Sequence, residues 1–224
     1  MIDWSPIIVT FQLALVTAAL LLVVSLPLAY WLAFTKTKIK PLIETLVSMP
    51  LVLPPTVLGF YLLIAFSPNQ GLGAWLEAQF NLRLIFSFEG LVLASMIYSL
   101  PFMVQPIQAG LQNLSPSLKE AAYLLGKSRW TTLTKVLLPN IQASLLTGIV
   151  LAFAHTIGEF GVVLMIGGSI PGQTKVASIA IYEEVESLNY AAANAYSLLL
   201  FGLTFIILLI VYVVNGGYLK SFRQ

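Results

Sequence analysis

Long apolar runs alternate with short polar intervals along this chain. Five runs reach the ~20 mostly apolar residues that a membrane-crossing helix needs: 7–34, 42–66, 88–111, 136–166 and 191–214. The fourth is long enough to hold a break or a re-entrant end. Between the runs lie KTKIK, an interval over 67–87, a polar stretch over 119–135 and an outer segment over 167–190. Helix breakers are unevenly placed. Pro27 falls in the first run, Pro50, Pro54 and Pro55 in the second, and Pro101 and Pro106 in the third. The fourth closes on Gly158-Glu159-Phe160-Gly161 and then Gly167-Gly168, while the fifth has only Gly202. Proline removes a backbone donor and clashes with the preceding turn, and broken helices persist in a membrane only where protein or a watery cavity satisfies them. Runs two to four are therefore expected to line a path, with the first and fifth facing lipid or packing outside. The alternative is ordinary kinked packing.

Composition makes the class unambiguous. The 224 residues are 58% hydrophobic and 9% charged, with a mean hydropathy of +0.92, against about 25% charged in a soluble domain. The chain reads as an all-α polytopic membrane protein of about five transmembrane helices, a single transmembrane domain over 1–224. With no cysteine, disulfides and thiolate metal sites are excluded. MIDWSP has no positively charged n-region and leads into a run too long for a signal-peptide core, so the first run reads as a retained span.

The cations set the orientation. Basic residues concentrate in short cytoplasmic loops. Lys36, Lys38, Lys40, Lys119, Lys127, Arg129, Lys135, Lys220 and Arg223 share one side, leaving Arg83 and Lys175 opposite. Five spans then place the N-terminus outside and the C-terminus in the cytoplasm. No Lys or Arg lies within a span, so the spans offer an anion no fixed cationic well. Thr56, Ser99 and Gln105 remain as weak donors.

Catalytic patterns are missing. Gly126-Lys127-Ser128 resembles the end of a phosphate-binding loop, but the required earlier glycine is Ala121 and the only aspartate is Asp3. His155 and Glu159, four apart, would share a helix face, yet two ligands are too few for zinc. The expectation is no enzyme, no metal and no cofactor bound by this chain. Glu159 reads as a gate or structural residue, hydrogen-bonded nearby or to a partner subunit, or else as a carboxylate touching water at the outer interface. His155 reads as a packed, hydrogen-bonded residue.

The stretch KEAAYLLGKSRWTTLTKVLLP over 119–139 reads as one or two short amphipathic helices. Ala121 and Ala122 allow close approach of a partner, Glu120 offers a carboxylate, Gly126 permits a turn of positive φ, and Pro139 is placed to open the next span. On physical grounds alone this is either a docking element or a solvated cytoplasmic loop. A further segment over 176–188, with Tyr182, Glu183, Glu184 and Glu186, reads as a short outer helix.

Glu120-Ala121-Ala122, Gly126 and Leu138-Pro139 stand at the spacing of the EAA loop of bacterial ABC importer membrane subunits. Within that class, Met49-Pro50-Leu51-Val52-Leu53-Pro54-Pro55-Thr56-Val57-Leu58-Gly59, Ser99-Leu100-Pro101-Phe102-Met103-Val104, Gly158-Glu159-Phe160-Gly161 and Ile170-Pro171-Gly172-Gln173-Thr174 resemble molybdate permeases, in order and over nearly the whole chain. His155 and Gln173 depart from the common pattern. The resemblance implies the type I (MetI-like) importer fold, with a coupling loop at about 112–139 held in an ATPase groove through Glu120, Ala121, Ala122, Gly126 and Pro139. It implies gate or path positions at Pro54, Pro55, Thr56, Ser99, Pro101, Gly158, Glu159 and Gly161. It also implies two ABC ATPase subunits carrying ATP and magnesium, a second copy of this chain, a periplasmic molybdate-binding protein, a lipid surround and no nucleic acid. The implied location is the bacterial inner membrane.

Overall fold

The computed structural model describes residues 3–215; Lys220 and Arg223, counted above with the cationic side, lie outside the described residues. In chain order the helices are α1 (Ser5–Phe34), α2 (Lys40–Val52), α3 (Pro55–Phe66), α4 (Gly71–Phe80), α5 (Phe88–Gln112), α6 (Pro116–Leu124), α7 (Arg129–Thr132), α8 (Leu138–Asn140), α9 (Gln142–Gly158), α10 (Gly161–Gly167), α11 (Ala177–Glu186) and α12 (Tyr190–Asn215). A π-helical turn, Leu133–Leu137, joins α7 to α8. No strand occurs among the described residues.

Helices α1, α5 and α12 are each long and apolar enough to cross a bilayer alone. Thirty residues give α1 a length of about 45 Å at 1.5 Å per residue, and Pro6 at its start needs no intrahelical donor. In α5 the Ser87 hydroxyl accepts from the Gly90 N–H at 3.1 Å, capping the first turn. The other two expected spans are broken pairs. Helices α2 and α3 meet at 115°, and the segment 129–140 meets α9 at 79°.

Each break has a local cause. Leu53 and Pro54 are both extended, at ψ 134° and 137°, as residues before prolines tend to be, and Pro55 then starts α3. The second span is thus two helices, not one kinked rod. In the fourth, Pro139 has no N–H for the Lys135 carbonyl, and the turn before it widens so that the Leu138 N–H reaches Leu133 O. Pro139 therefore does not open the span. It sits in the first turn of α8, and the span helix begins at Gln142, past a non-helical Ile141 (φ −114°). A second break at Glu159-Phe160 separates α9 from α10. The interval 67–87 between the second and third spans holds α4, which ends on Asn81 in the left-handed region (φ 51°).

Helix α1 is central to the packing. Thr10, Ala14, Thr17, Leu21, Ser25, Ala29 and Leu32 recur at helical spacing and are buried; the small residues let α1 lie close against α5 and α9. Gly110 against Ser144 and Gly148 against Met103 bring α5 and α9 together in the same way. Helix α12 is peripheral: Leu198, Phe201, Phe205, Ile206 and Leu209 are exposed, as a lipid-facing surface requires. One core gathers at the end holding Val9, Phe66, Leu84, Leu91, Ile166 and Ile179. A second gathers at the opposite end, around Leu32, Val47, Ile107, Leu111, Leu137 and Ile141. Of the described cations, Lys36, Lys38, Lys40, Lys119, Lys127, Arg129 and Lys135 lie toward this second end.

Candidate functional site

Two regions hold the residues singled out by the sequence. At the cationic end, α6 closes with a hydrogen-bond pair: the Gly126 N–H donates to Tyr123 O at 2.9 Å and the Lys127 N–H to Ala122 O at 3.0 Å. This closure needs a left-handed residue between the two short helices, and Gly126 supplies it at φ +68°. Nothing lies within 4 Å of where its Cβ would stand, so backbone conformation, not crowding, calls for glycine. Ser128 then caps α7, its hydroxyl accepting from the Thr131 N–H at 3.1 Å.

Ala122 is buried, whereas Glu120 and Ala121 are exposed. Around the turn, Leu124, Leu125 and Trp130 are 89%, 75% and 72% exposed. Three large apolar side chains standing in water beside a charged surface form the kind of patch that marks an interaction site. The sequence reading missed these three; their apolar character next to a glycine turn was the available signal.

The second region is where the two broken spans meet. Helices α3 and α10 pack on each other. A Cβ on Gly161 would stand 2.8 Å from Pro55 Cβ, and one on Gly59 would stand 2.9 Å from Met165 Cβ. The Pro54-Pro55 break is thereby locked to the Glu159-Phe160 break. Glu159 is 4% exposed and its carboxylate oxygens have no hydrogen-bond partner among the described residues, so it does not touch water at the interface. Its backbone carbonyl accepts from the Ser178 hydroxyl at 2.7 Å. Buried Ser95 lies near the carboxylate without reaching hydrogen-bond geometry, another residue the sequence reading passed over.

Ser99 is fully buried between α5 and α9. Its hydroxyl lies 2.9 Å from His155 Nδ1 and 3.1 Å from Thr156 Oγ1. His155 stacks on Phe102 with centroids 4.1 Å apart, a packed histidine. Pro101 is likewise enclosed, while Pro54, Thr56 and Gly158 are exposed and Pro55 and Gly161 half-buried against each other. Gln105 is exposed and donates to the Ser48 hydroxyl at 3.2 Å; Gln108 beside it donates to Glu44 at 2.6 Å. The outer turn Ile170–Thr174 is pinned by Thr174, whose hydroxyl donates to Gly167 O at 2.6 Å and accepts from the Ile170 N–H. Among the described residues no group of three or more His, Cys, Asp or Glu comes together.

Residues 25–219 match the family model described as "Binding-protein-dependent transport system inner membrane component". The chain is 45% identical to the "Molybdenum transport system permease protein ModB" of Azotobacter vinelandii, over 86% of this chain and 85% of that protein. It is 33% identical to the "Putative molybdenum transport system permease protein YvgM" of Bacillus subtilis, over 92% and 90%. Against the "Sulfate transport system permease protein CysT" of Escherichia coli it is 36% identical over 70% of this chain and 56% of that one. Among solved structures, a bacterial ABC transporter "involved in the import of the acidic polysaccharide alginate" superimposes with a TM-score of 0.73 at 18% identity, over 93% of this chain and 78% of that one.

Proposed function

The chain belongs to the family of binding-protein-dependent transport system inner membrane components, and from that premise we propose that it is the membrane-spanning permease subunit of an ABC importer for molybdate. Its substrate follows from its likeness to the molybdenum permeases, at 45% and 33% identity over most of both chains. A subunit of this kind works with an ATPase and a substrate-binding protein. The finer assembly is our reading: two copies of this chain enclose the path, two ATPase subunits carrying ATP and magnesium sit at the cationic, cytoplasmic end, and a periplasmic binding protein delivers the oxyanion to the other. The chain itself is non-catalytic.

The observation that carries the mechanical role is the exposed turn at Gly126, with Leu124, Leu125 and Trp130 standing clear of the fold. An ATPase groove that buries this patch converts its closure on ATP into movement of α6, α7 and α8, and the 79° junction at Ile141 passes that movement to α9. At the far end of α9, the Glu159-Phe160 break and the Pro54-Pro55 break move together because α10 and α3 are interlocked. In this reading Pro54, Pro55, Thr56, Gly158, Glu159 and Gly161 form the gate, and Ser99 and Pro101 set its position from inside the protomer. Glu120, Ala121, Ala122, Gly126 and Pro139 belong to the coupling segment.

Labelled molybdate uptake in cells lacking the gene, complemented with wild type or Gly126→Asp, tests both parts. Wild type restores uptake, tungstate competes, and the variant inserts in the membrane without restoring uptake. The likeness to a sulfate permease supports a second substrate reading: competition by excess sulfate would move the assignment to it. Equal rescue by the variant would remove the coupling role.

A further inference from the structure

A cavity of about 380 Å³ opens between the end of α1 and the two short helices α6 and α7. Tyr30, Trp31 and Phe34 line it from α1, Lys119 and Tyr123 from α6, and Arg129 from α7. Lys119 Nζ lies 4.0 Å from the Phe34 ring centroid, 5.8 Å from that of Tyr30 and 6.0 Å from that of Tyr123. Neither Lys119 nor Arg129 makes an ion pair among the described residues, and no carboxylate lines the cavity. Trp31 is 37% exposed near the end of an apolar helix, the position where amphipathic aromatics sit at a headgroup layer.

Two cations without an ion-pair partner among the described residues line a wall of aromatic rings here, at the cationic end of a helix of membrane-crossing length. A small soluble oxyanion would meet the cations and leave the rings wet. A phospholipid meets both requirements, since its phosphate faces Lys119 and Arg129 while its glycerol and upper acyl carbons cover Trp31 and Phe34. We propose that this cavity binds the headgroup of an anionic phospholipid, tying α1 to both helices of the coupling segment. The site needs the cationic end to lie at a bilayer surface, and does not depend on which cargo the transporter carries.

Native mass spectrometry of the delipidated transporter, titrated with phosphatidylglycerol or phosphatidylcholine, tests it. Each basic side chain near a membrane surface is worth about a fivefold change in anionic lipid affinity. Wild type is expected to retain phosphatidylglycerol well above phosphatidylcholine. Lys119→Gln with Arg129→Gln should lose most of that preference, and Lys175→Gln at the opposite end should keep it. Equal retention of the two lipids by wild type, or an unchanged preference in the double variant, overturns the proposal. Displacement of phosphatidylglycerol by excess inorganic phosphate also overturns it, in favour of a soluble-anion site. Should the double variant lose both lipids alike, the single exposed Arg129→Gln decides: a selective loss of phosphatidylglycerol supports the site and none removes it. Failure of molybdate uptake would leave this result untouched, so the two readings fall separately.

Discussion

Gly126 and Gly161 stand at two turns of the chain for opposite reasons. At Gly126 the space is open and the backbone is left-handed; at Gly161 the backbone requires nothing unusual, but a side chain would collide with Pro55. The surroundings differ in the same sense. The Gly126 turn presents Leu124, Leu125 and Trp130 to solvent, whereas the Gly161 junction encloses Glu159 and pairs α10 with α3. One region is an exposed apolar surface, which the proposed function would cover with an ATPase; the other is a joint already closed within the chain. Mutations in the first should therefore disturb association, and mutations in the second should disturb the fold.

The largest expected effect is on the exposed patch. Trp130→Ala should weaken co-purification with the ATPase by about 2 kcal/mol, roughly thirtyfold, as truncation of a buried aromatic anchor does. The melting temperature of the isolated permease should hardly move, since exposed substitutions change stability by about 0.5 kcal/mol or less. Unchanged association would break the comparison at its first term. Next comes Gly161→Val, which should destabilise the permease by about 2 kcal/mol through overpacking against Pro55. Gly126→Ala should cost about 1 kcal/mol, from backbone strain alone. Thermal unfolding in detergent checks the pair, and equal costs would erase the distinction.

Glu159→Gln sharpens the description of the joint. A carboxylate without partners is costly to bury, so the amide should raise stability by about 1 kcal/mol in the isolated protomer. A loss of stability in the assembled transporter would instead show that another subunit supplies a partner.

The smallest effect belongs to the outer end. Burial works against the charge on Glu183, but the paired Lys175 ammonium, with the nearby Ser169 hydroxyl, outweighs it and holds the carboxyl below the ordinary range. A carboxylate with a depressed folded pKa stabilises the fold above its unfolded pKa, and that contribution disappears as pH falls through the folded value. Because the pair is partly exposed, it should contribute only a few tenths of a kcal/mol. The melting-temperature gap between wild type and Lys175→Gln should be small at neutral pH and vanish in acid.

Much of this molecule was legible along the chain. Apolar runs of membrane-crossing length name the class, because a bilayer tolerates few alternatives to a helix. The clustering of Lys36 to Lys40 with Lys119 to Lys135 separated the two ends, and the glycine between two short polar helices announced the left-handed turn at Gly126. Those signals are local or compositional. Others were not available: α4 is a short helix whose flanking residues look like loop, and Pro139 was read as a helix start because its missing donor is harmless there. Only packing reveals that the turn before it widens and the span begins at Gln142.

By itself, then, the sequence determined that this chain is a helical membrane protein with one cationic end, that its second and fourth spans carry breaks, and which family it resembles. Hydropathy, charge and backbone chemistry act over a few residues, and a linear string records them directly. The tertiary structure alone decided that the two breaks abut through Gly59 and Gly161 and that Ser99 is occupied by His155 and Thr156. It also decided that Glu159 is enclosed without a partner and that Lys119 and Arg129 converge on the aromatic end of α1. Each of these joins residues tens of positions apart, and their separations follow from how helices pack, which no local pattern encodes.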